Sequence, residues 1–390
     1  MSFEPSEESQ PVLIGGYEAV RTVLRSPDFT TSGRAVECGQ DRPLLPLQAE
    51  GSYHRRVRGR LESLIGRHSP LPLEAMVRDH AVTLISELDL GTPVDLRDRY
   101  SCRLVARVLG SLLGLTDSEV VRVHELSELI MGSHRLVGSV PAPPDIGNTV
   151  YAFLEPVVRR SADPESAPLL CGLFAHDGEN PPLTEEEVID VCYLLVVAAQ
   201  DTMEIGLTAA LGVLAGESAG KLKAAINQGL EKPVIEELLR WISPARIVSR
   251  IATTDVIDGA RTIEEGTQVL CMLAQANRDR VYANPTVFDP GVLAPPNPPH
   301  LAFGAGPHRC VGAHLARIQI RVTLEEFARR LELRMLDQPG REQAFPGEQL
   351  VAILRRRSES DDGLRVQSAV RRVWRSVMQL RGGSGKRRRV

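Results

Sequence analysis

Apolar and polar residues alternate along most of this chain with the period of helices. The segments 17–25 and 313–330 carry apolar side chains every three or four residues, which is the spacing of an amphipathic helix. Residues 53–64 and 233–242 predict two more helices, the second ended by Ser243-Pro244, because a residue before proline avoids helical backbone. The pattern therefore predicts a mainly α protein.

Short stretches of β-rich sequence interrupt the helices. Residues 11–16 predict a strand and a turn, and 247–252 and 268–273 predict two further strands with Asp258-Gly259 turn chemistry between them. The proline-rich stretch 285–299 predicts an irregular segment. These elements add a small β portion to one continuous body.

The longest helical pattern covers residues 185–215 and contains no proline. Thr184 and Glu187 have the spacing of a capping box, which marks the start of a helix. Residues 194–199 are apolar on every face of this helix, so the helix is expected to pass through the core. The polar pair Asp201-Thr202 follows directly, and a buried polar pair needs a structural or chemical reason.

Composition and charge exclude several classes of protein. The chain has 390 residues, of which 43% are hydrophobic and 25% charged, as in an ordinary soluble domain. Aromatic residues make up only 4%, and the net charge is -4, so a nucleic-acid partner is not expected. The residues after Leu364 include nine Lys or Arg and no acidic residue, so the rest of the chain is distinctly acidic. We expect the segment 358–390 to be an extension, either an amphipathic helix for a membrane or a partner, or a flexible tail.

The cysteines are scattered and do not form a CxxC pair. They are Cys38, Cys102, Cys171, Cys192, Cys271 and Cys310. This usage is typical of reduced thiols in the cytoplasm, and the polar, acidic N-terminus does not resemble a signal peptide. We therefore expect a cytoplasmic protein.

The segment Phe303-Gly-Ala-Gly-Pro-His-Arg-Cys310-Val-Gly312 is the most informative part of the sequence. Its glycines let backbone approach a bulky ligand, and the segment delivers Cys310 to the start of a helix. Amide groups and the helix dipole favour a thiolate there, as do the positive charges of His308 and Arg309. A thiolate held in this way is a good axial ligand for haem iron. The alternative is a buried structural cysteine in a glycine turn.

The pattern Phe-Gly-x-Gly-x-His-x-Cys-x-Gly strongly resembles the haem-binding loop of the cytochrome P450 family. The resemblance covers residues 11–357 and implies a bacterial-type soluble haem-thiolate monooxygenase, with haem b between the long helix and the cysteine loop. Its fold is a single α-rich prism with a small β portion. We therefore expect residues 1–357, with a short N-terminal end, to form this domain, and Phe303, Gly304, Cys310 and Gly312 to hold the haem.

Two further segments match positions with chemical roles in that family. Ala198-Ala-Gln-Asp201-Thr202 resembles the motif that opens a groove for oxygen, where an acid and an alcohol deliver protons; the alternative is a kinked core helix. His54 and Arg58, together with Arg250 and His308, match the cationic partners of the two haem propionates. The alternative for His54 and Arg58 is a solvated basic helix face.

Glu237-Leu-Leu-Arg240 resembles the Glu-x-x-Arg helix of the family, which has a structural role behind the haem. Residues three apart on a helix share a face, so the two side chains can pair. The family tends to carry an arginine after Phe-Asp-Pro, and Phe288-Asp-Pro-Gly-Val292 has none. This departure predicts a weaker network around Glu237 and Arg240.

The resemblance implies oxidation of a small, mainly apolar organic substrate by O₂, and we expect this reaction to belong to natural-product metabolism. Electrons would come from a separate donor such as a ferredoxin, because the chain shows no flavin or NAD domain. A basic patch would receive that donor; its predicted members are Arg55, Arg56, Arg60, Arg309, Arg317 and Arg321. The alternative function is a degenerate, non-catalytic haem-binding or recruitment protein of the same fold.

Overall fold

Glu185–Ala215 is the longest helix of the protein, and in this computed structural model it has the bounds that the sequence predicts. The Thr184 hydroxyl accepts from the Glu187 amide at 3.3 Å, and the Glu187 carboxylate accepts from the Thr184 amide at 2.9 Å. The capping box is therefore confirmed. The structure describes residues 10–31, 45–132, 145–160, 163–176, 181–216, 219–220, 222, 231–259, 261–289, 298–336 and 350–357.

The helices with described bounds follow one another along the chain. They are α1 (Tyr17–Arg25), α2 (Gly51–Ile65), α3 (Leu73–Ser86), α4 (Cys102–Leu113), α5 (Asp117–Gly132), α6 (Ile146–Arg160), α7 (Pro168–Phe174), α8 (Glu185–Ala215), α9 (Glu231–Ile242), α10 (Leu273–Ala276) and α11 (Ala313–Arg330). One turn of π-helix, Arg97–Ser101, leads into α4. The helices predicted at 17–25 and 313–330 have these bounds, and those predicted at 53–64 and 233–242 are each a few residues longer.

The strands form small sheets, as the sequence predicts. They are β1 (Val12–Ile14), β2 (Phe29–Thr30), β3 (Pro93–Asp95), β4 (Val248–Ala252), β5 (Val256–Asp258), β6 (Arg261–Ile263), β7 (Gln268–Cys271), β8 (Leu331–Met335) and β9 (Val351–Arg356). The order in the largest sheet is β1-β7-β4-β2, with β1 parallel to β7 and the other pairs antiparallel. A second sheet has the order β3-β9-β8, and β5 pairs with β6.

The main hydrophobic core surrounds α8, which packs against α4, α5, α6 and α11. A smaller core lies between α1 and the largest sheet. The mainly α fold with a small β portion is thus confirmed. In the described residues, no helix is both long and apolar enough to cross a membrane. The predicted tail 358–390 lies outside the described residues.

Candidate active site

The cysteine loop is a tight turn that its own backbone holds together. The Cys310 amide donates to the Phe303 carbonyl at 2.9 Å, and the Gly304 amide donates to the Leu301 carbonyl at 2.8 Å. Gly304 and Gly306 have φ of 67° and 74°, which side chains other than glycine rarely adopt. A Cβ atom on Gly306 would also lie 2.3 Å from the Leu24 carbonyl oxygen. The loop thereby delivers Cys310 close to the start of α11, as predicted.

Cys310 lies among protein groups that change the acidity of its thiol. Its surface is exposed, yet surrounding protein desolvates the sulfur enough to raise the pKa of the thiol. The Gly312 amide, which hydrogen-bonds the sulfur, and the charges of Arg58, Arg309 and Arg317 act in the opposite direction. Desolvation outweighs these contributions, contrary to the expectation that the loop alone favours a thiolate. A sulfur in this setting becomes a thiolate when a metal cation pairs with it.

His54 and His308 face each other on two different elements. Their ring centres lie 4.3 Å apart, and His54 is buried on α2. Desolvation together with the positive charges of His308 and Arg58 lowers the pKa of His54 to about 4. Protonation of both histidines at once is therefore unfavourable, and a further anionic group beside them would stabilise their charged forms.

Glu50 is an acidic residue that contacts one side of this cluster, and no sequence pattern pointed to it. Its Oε2 lies 3.2 Å from His308 Nε2, and its Oε1 accepts from the Thr30 hydroxyl at 2.7 Å and from the Thr31 amide at 3.1 Å. Burial alone would raise the pKa of Glu50, but these hydrogen bonds lower it to about 2. Glu50 thus joins β2 to the start of α2 and holds His308.

The two predicted arginines lie on elements next to this cluster. The Arg58 Nη1 atom donates to the Arg309 carbonyl at 2.6 Å, and its Nε lies 3.5 Å from Glu62. Arg250 is buried on β4, where its Nη1 donates to the Ser249 carbonyl at 2.7 Å. The neighbouring residue of β4, Ile251, pairs with Thr30 on β2, so Arg250 lies one strand away from the start of α2.

These residues fit a haem. Cys310 supplies an exposed sulfur whose thiolate form would need a cation as its partner. Arg58, Arg250, His54 and His308 lie on elements around the start of α2 and the cysteine loop, and side chains of these types can bind a ligand with two carboxylates. The site therefore offers both the axial ligand and the charge complement that haem requires.

The middle of α8 has one open face although the helix is otherwise buried. Ala198 is exposed, and Asp201 and Thr202 are half-buried. The Thr202 hydroxyl donates to the Ala198 carbonyl, four residues earlier, at 2.9 Å. A hydroxyl bonded back to its own helix loosens the backbone hydrogen bonding there. The helix thus presents an alcohol and an acid next to the small side chain of Ala198.

Glu237 and Arg240 form a fully buried ion pair on α9, as predicted, with Nε–Oε2 at 2.7 Å and Nη2–Oε1 at 2.8 Å. Arg240 also donates to the carbonyls of Asn277, Pro285 and Val287. The Asp289 amide donates to Glu237 at 2.8 Å. Main-chain groups of Asn277, Pro285, Val287 and Asp289 therefore satisfy both side chains, although no arginine follows Phe288-Asp-Pro.

The predicted basic patch is partly wrong, because four of its six arginines are buried or paired. Arg60 is buried and donates to the carbonyls of Gly172 and Ala175. Arg56 pairs with Glu187, Arg317 with Glu236, and Arg321 with Glu74 and Glu325. Arg55 and Arg309 are exposed. The helix period places arginines on a face, but it does not show which carboxylates or carbonyls lie opposite them.

Comparison with known proteins gives consistent results. The family model described as Cytochrome P450 matches residues 230–358. Cytochrome P450 109 of Bacillus spizizenii is 27% identical over 320 residues, which are 80% of this chain and 76% of that protein.

Two solved structures share the fold over most of their length. The structure of P450BioI in complex with hexadec-9Z-enoic acid ligated acyl carrier protein has a TM-score of 0.75 and 23% identity, and the match covers 87% of this chain and 91% of that one. The structure of a mutant of P450 EryK in complex with erythromycin B has a TM-score of 0.74 and 26% identity, with coverage of 89% and 93%.

Proposed function

The chain belongs to the cytochrome P450 family of haem-thiolate monooxygenases, of the bacterial type, and we propose that it oxidises a small, mainly apolar organic molecule. The family implies haem with a cysteine thiolate as axial ligand, and we assign that ligand to Cys310. When bound, the haem supplies the activation of O₂ and the insertion of one oxygen atom. The observation that carries the proposal is the coexistence of Cys310 in its loop with Asp201 and Thr202 on the open face of α8.

The surfaces next to the site support an apolar substrate. Ala198 on α8 is exposed, as is Ile247 just before β4, and Ala245 and Val248 are half-buried beside it. Two proteins of the same fold were solved with a fatty acyl group on a carrier protein and with erythromycin B. We propose a substrate of comparable apolar character, such as a fatty, terpenoid or polyketide scaffold, in natural-product metabolism.

Asp201 and Thr202 are the proposed proton-handling residues. The Thr202 hydroxyl donates to the Ala198 carbonyl, and Asp201 precedes it on the same helix, so an alcohol and an acid are both available for proton transfer at the open face of α8. Positioned acid–base groups of this kind contribute about 10²–10⁴-fold to a rate. His54, Arg58, Arg250 and His308 are the proposed propionate partners, and Phe303, Gly304 and Gly312 shape the loop around the haem.

We propose that electrons come from a separate protein, a ferredoxin or a similar donor, in the cytoplasm. Arg309 is exposed in the cysteine loop and Arg55 is exposed on α2, so both can meet an acidic partner.

The test measures product formed per NAD(P)H consumed, with hydrogen peroxide assayed in parallel. Thr202→Ala is expected to keep haem and substrate binding but to divert electrons to peroxide, and Asp201→Asn to slow turnover and enlarge the solvent isotope effect. Unchanged coupling in both variants would remove the proton role. No product from the wild-type protein with any donor would favour the alternative, a non-catalytic haem-binding protein of this fold.

The ligand assignment has its own test. Reduced wild-type protein with CO is expected to give the absorption typical of haem-thiolate proteins, and Cys310→Ser to lose it. Identical CO spectra for the two proteins would mean that another residue holds the iron.

A further inference from the structure

Glu204 is a fully buried carboxylate in the middle of α8. Removing a carboxylate from water costs several kcal/mol, and pairing it offsets that cost only when the geometry is good. An apolar residue of similar size would often serve the core as well. A charged residue at this position therefore calls for a reason beyond packing.

The partners of Glu204 come from three elements. The Arg97 Nη2 atom, in the π-helical turn, lies 2.8 Å from Glu204 Oε2. The His124 Nδ1 atom on α5 lies 3.6 Å from Oε1, and Gln200, one turn earlier on α8, donates to the same oxygen. Gln200 Nε2 also lies 3.3 Å from the Cys102 carbonyl at the start of α4. The cluster thus ties one face of α8 to its neighbours.

That face lies opposite Thr202. Gln200, Glu204 and Thr208 are four residues apart and share a face, and the Thr208 hydroxyl donates to the Ser101 hydroxyl at 2.9 Å. At about 100° per residue, Thr202 points roughly 160° away from Glu204. A rotation of the helix about its axis would move the two side chains by the same angle, so whatever fixes Glu204 also fixes Thr202.

We propose that Glu204 is a positioning residue, which sets the rotation of the helical turn that presents Asp201 and Thr202. Arg97 holds the Glu204 carboxylate from outside the helix, and Gln200 and His124 contact the same carboxylate. The proposal rests on the function proposed for Asp201 and Thr202, but the rotation itself can be measured without turnover.

The experiment compares three variants of the haem-loaded protein. Glu204→Gln keeps the shape but loses the charge. A double variant, Glu204→Met with Arg97→Met, removes both charges and leaves no unpaired one, so it is expected to fold. Thr208→Val is the matched control, because it removes a buried hydrogen bond from the same face one turn farther on.

Two measurements report on position. The infrared stretching band of CO bound to the reduced protein reports on the polar groups on the open face of α8. The amount of product formed per NAD(P)H consumed reports on coupling, which is the fraction of electrons that reach the product. Both Glu204 variants are expected to shift or broaden the CO band and to lower coupling several-fold, while Thr208→Val lowers only the melting temperature. A wild-type CO band in both Glu204 variants would overturn the inference. If Thr202→Ala leaves coupling unchanged while the Glu204 variants shift the band, the proton role fails and the positioning role stands.

Discussion

Arg317 and Glu236 form a two-bonded ion pair, with Nε–Oε1 at 2.5 Å and Nη2–Oε2 at 2.8 Å. Glu236 also lies 3.1 Å from Nε2 of the buried His300. Arg317 lies on α11, after the cysteine loop, and His300 lies before the loop. One carboxylate on α9 therefore binds residues on both sides of the cysteine loop. The Arg317 guanidinium further lies 4.6 Å from the ring centre of Phe303. This arrangement fixes the loop independently of the Glu237–Arg240 pair.

The first prediction is a pH-dependent contribution of Glu236 to stability. Burial alone would raise the pKa of Glu236, but hydrogen bonds from Arg317 and His300 lower it to about 2, against about 4.3 in an unfolded chain. A depressed folded pKa stabilises the protein above the unfolded value, and this contribution is lost as the pH falls through the folded value. The melting temperature of Glu236→Gln should therefore lie below that of wild type at pH 7.

Thermal unfolding followed by circular dichroism between pH 7 and pH 3 checks this expectation. The difference between the two proteins should narrow as the pH falls below about 4. Glu332→Gln is the control, because Glu332 is exposed on β8. A constant difference at every pH would show that Glu236 acts through packing rather than charge.

The second prediction concerns Arg240. Breaking one partner of a buried ion pair typically costs about 3–5 kcal/mol, and a lysine cannot reproduce the forked contacts with Glu237 and the main-chain carbonyls. Arg240→Lys is therefore expected to lower the melting temperature strongly, whereas Arg355→Lys, at an exposed position of β9, should leave it unchanged. Equal melting temperatures for these two variants would show that the pair is dispensable.

The third prediction concerns haem retention. A hydrogen bond to a charged group contributes about 1.5–3 kcal/mol, which corresponds to roughly a tenfold to hundredfold change in an equilibrium constant. Arg58→Ala and Arg250→Ala should lose haem faster to an acceptor protein by about that factor, while Arg55→Ala, exposed on the same helix as Arg58, should not. Wild-type retention in both test variants would mean that neither arginine binds a propionate.

Sequence reasoning found what a local pattern encodes. The capping box at Thr184 fixed the start of α8, and the glycine pattern located the cysteine loop together with Cys310. Contacts between segments that are distant in the sequence have no recognisable sequence pattern. Glu204 is one of many carboxylates in the sequence, and only the packing of α5 and the π-helical turn against α8 shows that it is buried and paired.

Arg60 is the converse case, a residue that its sequence neighbours predict to be exposed and that the structure shows to be buried. Its sequence neighbours are basic, and a basic run usually marks a solvated face. The side chain instead turns inward, because the carbonyls of Gly172 and Ala175 at the end of α7 need donors. Helical periodicity could not reveal this, since it says nothing about which helix end lies opposite.

The last prediction follows from this correction and concerns the electron donor. With Arg60 buried and Arg56, Arg317 and Arg321 paired to carboxylates, Arg309 and Arg55 remain the exposed members of the expected patch. Charges between exposed surfaces are screened over about 10 Å at 0.1 M salt, and reversing a rim charge changes mainly the association rate. Arg309→Glu should therefore slow reduction by an acidic ferredoxin at low salt, and this difference from wild type should shrink as salt is added. Stopped-flow reduction at a series of salt concentrations checks this, with Arg122→Glu, at an exposed position of α5, as the control. If Arg309→Glu and Arg122→Glu slow reduction equally, the donor responds to net charge alone and does not dock beside the cysteine loop.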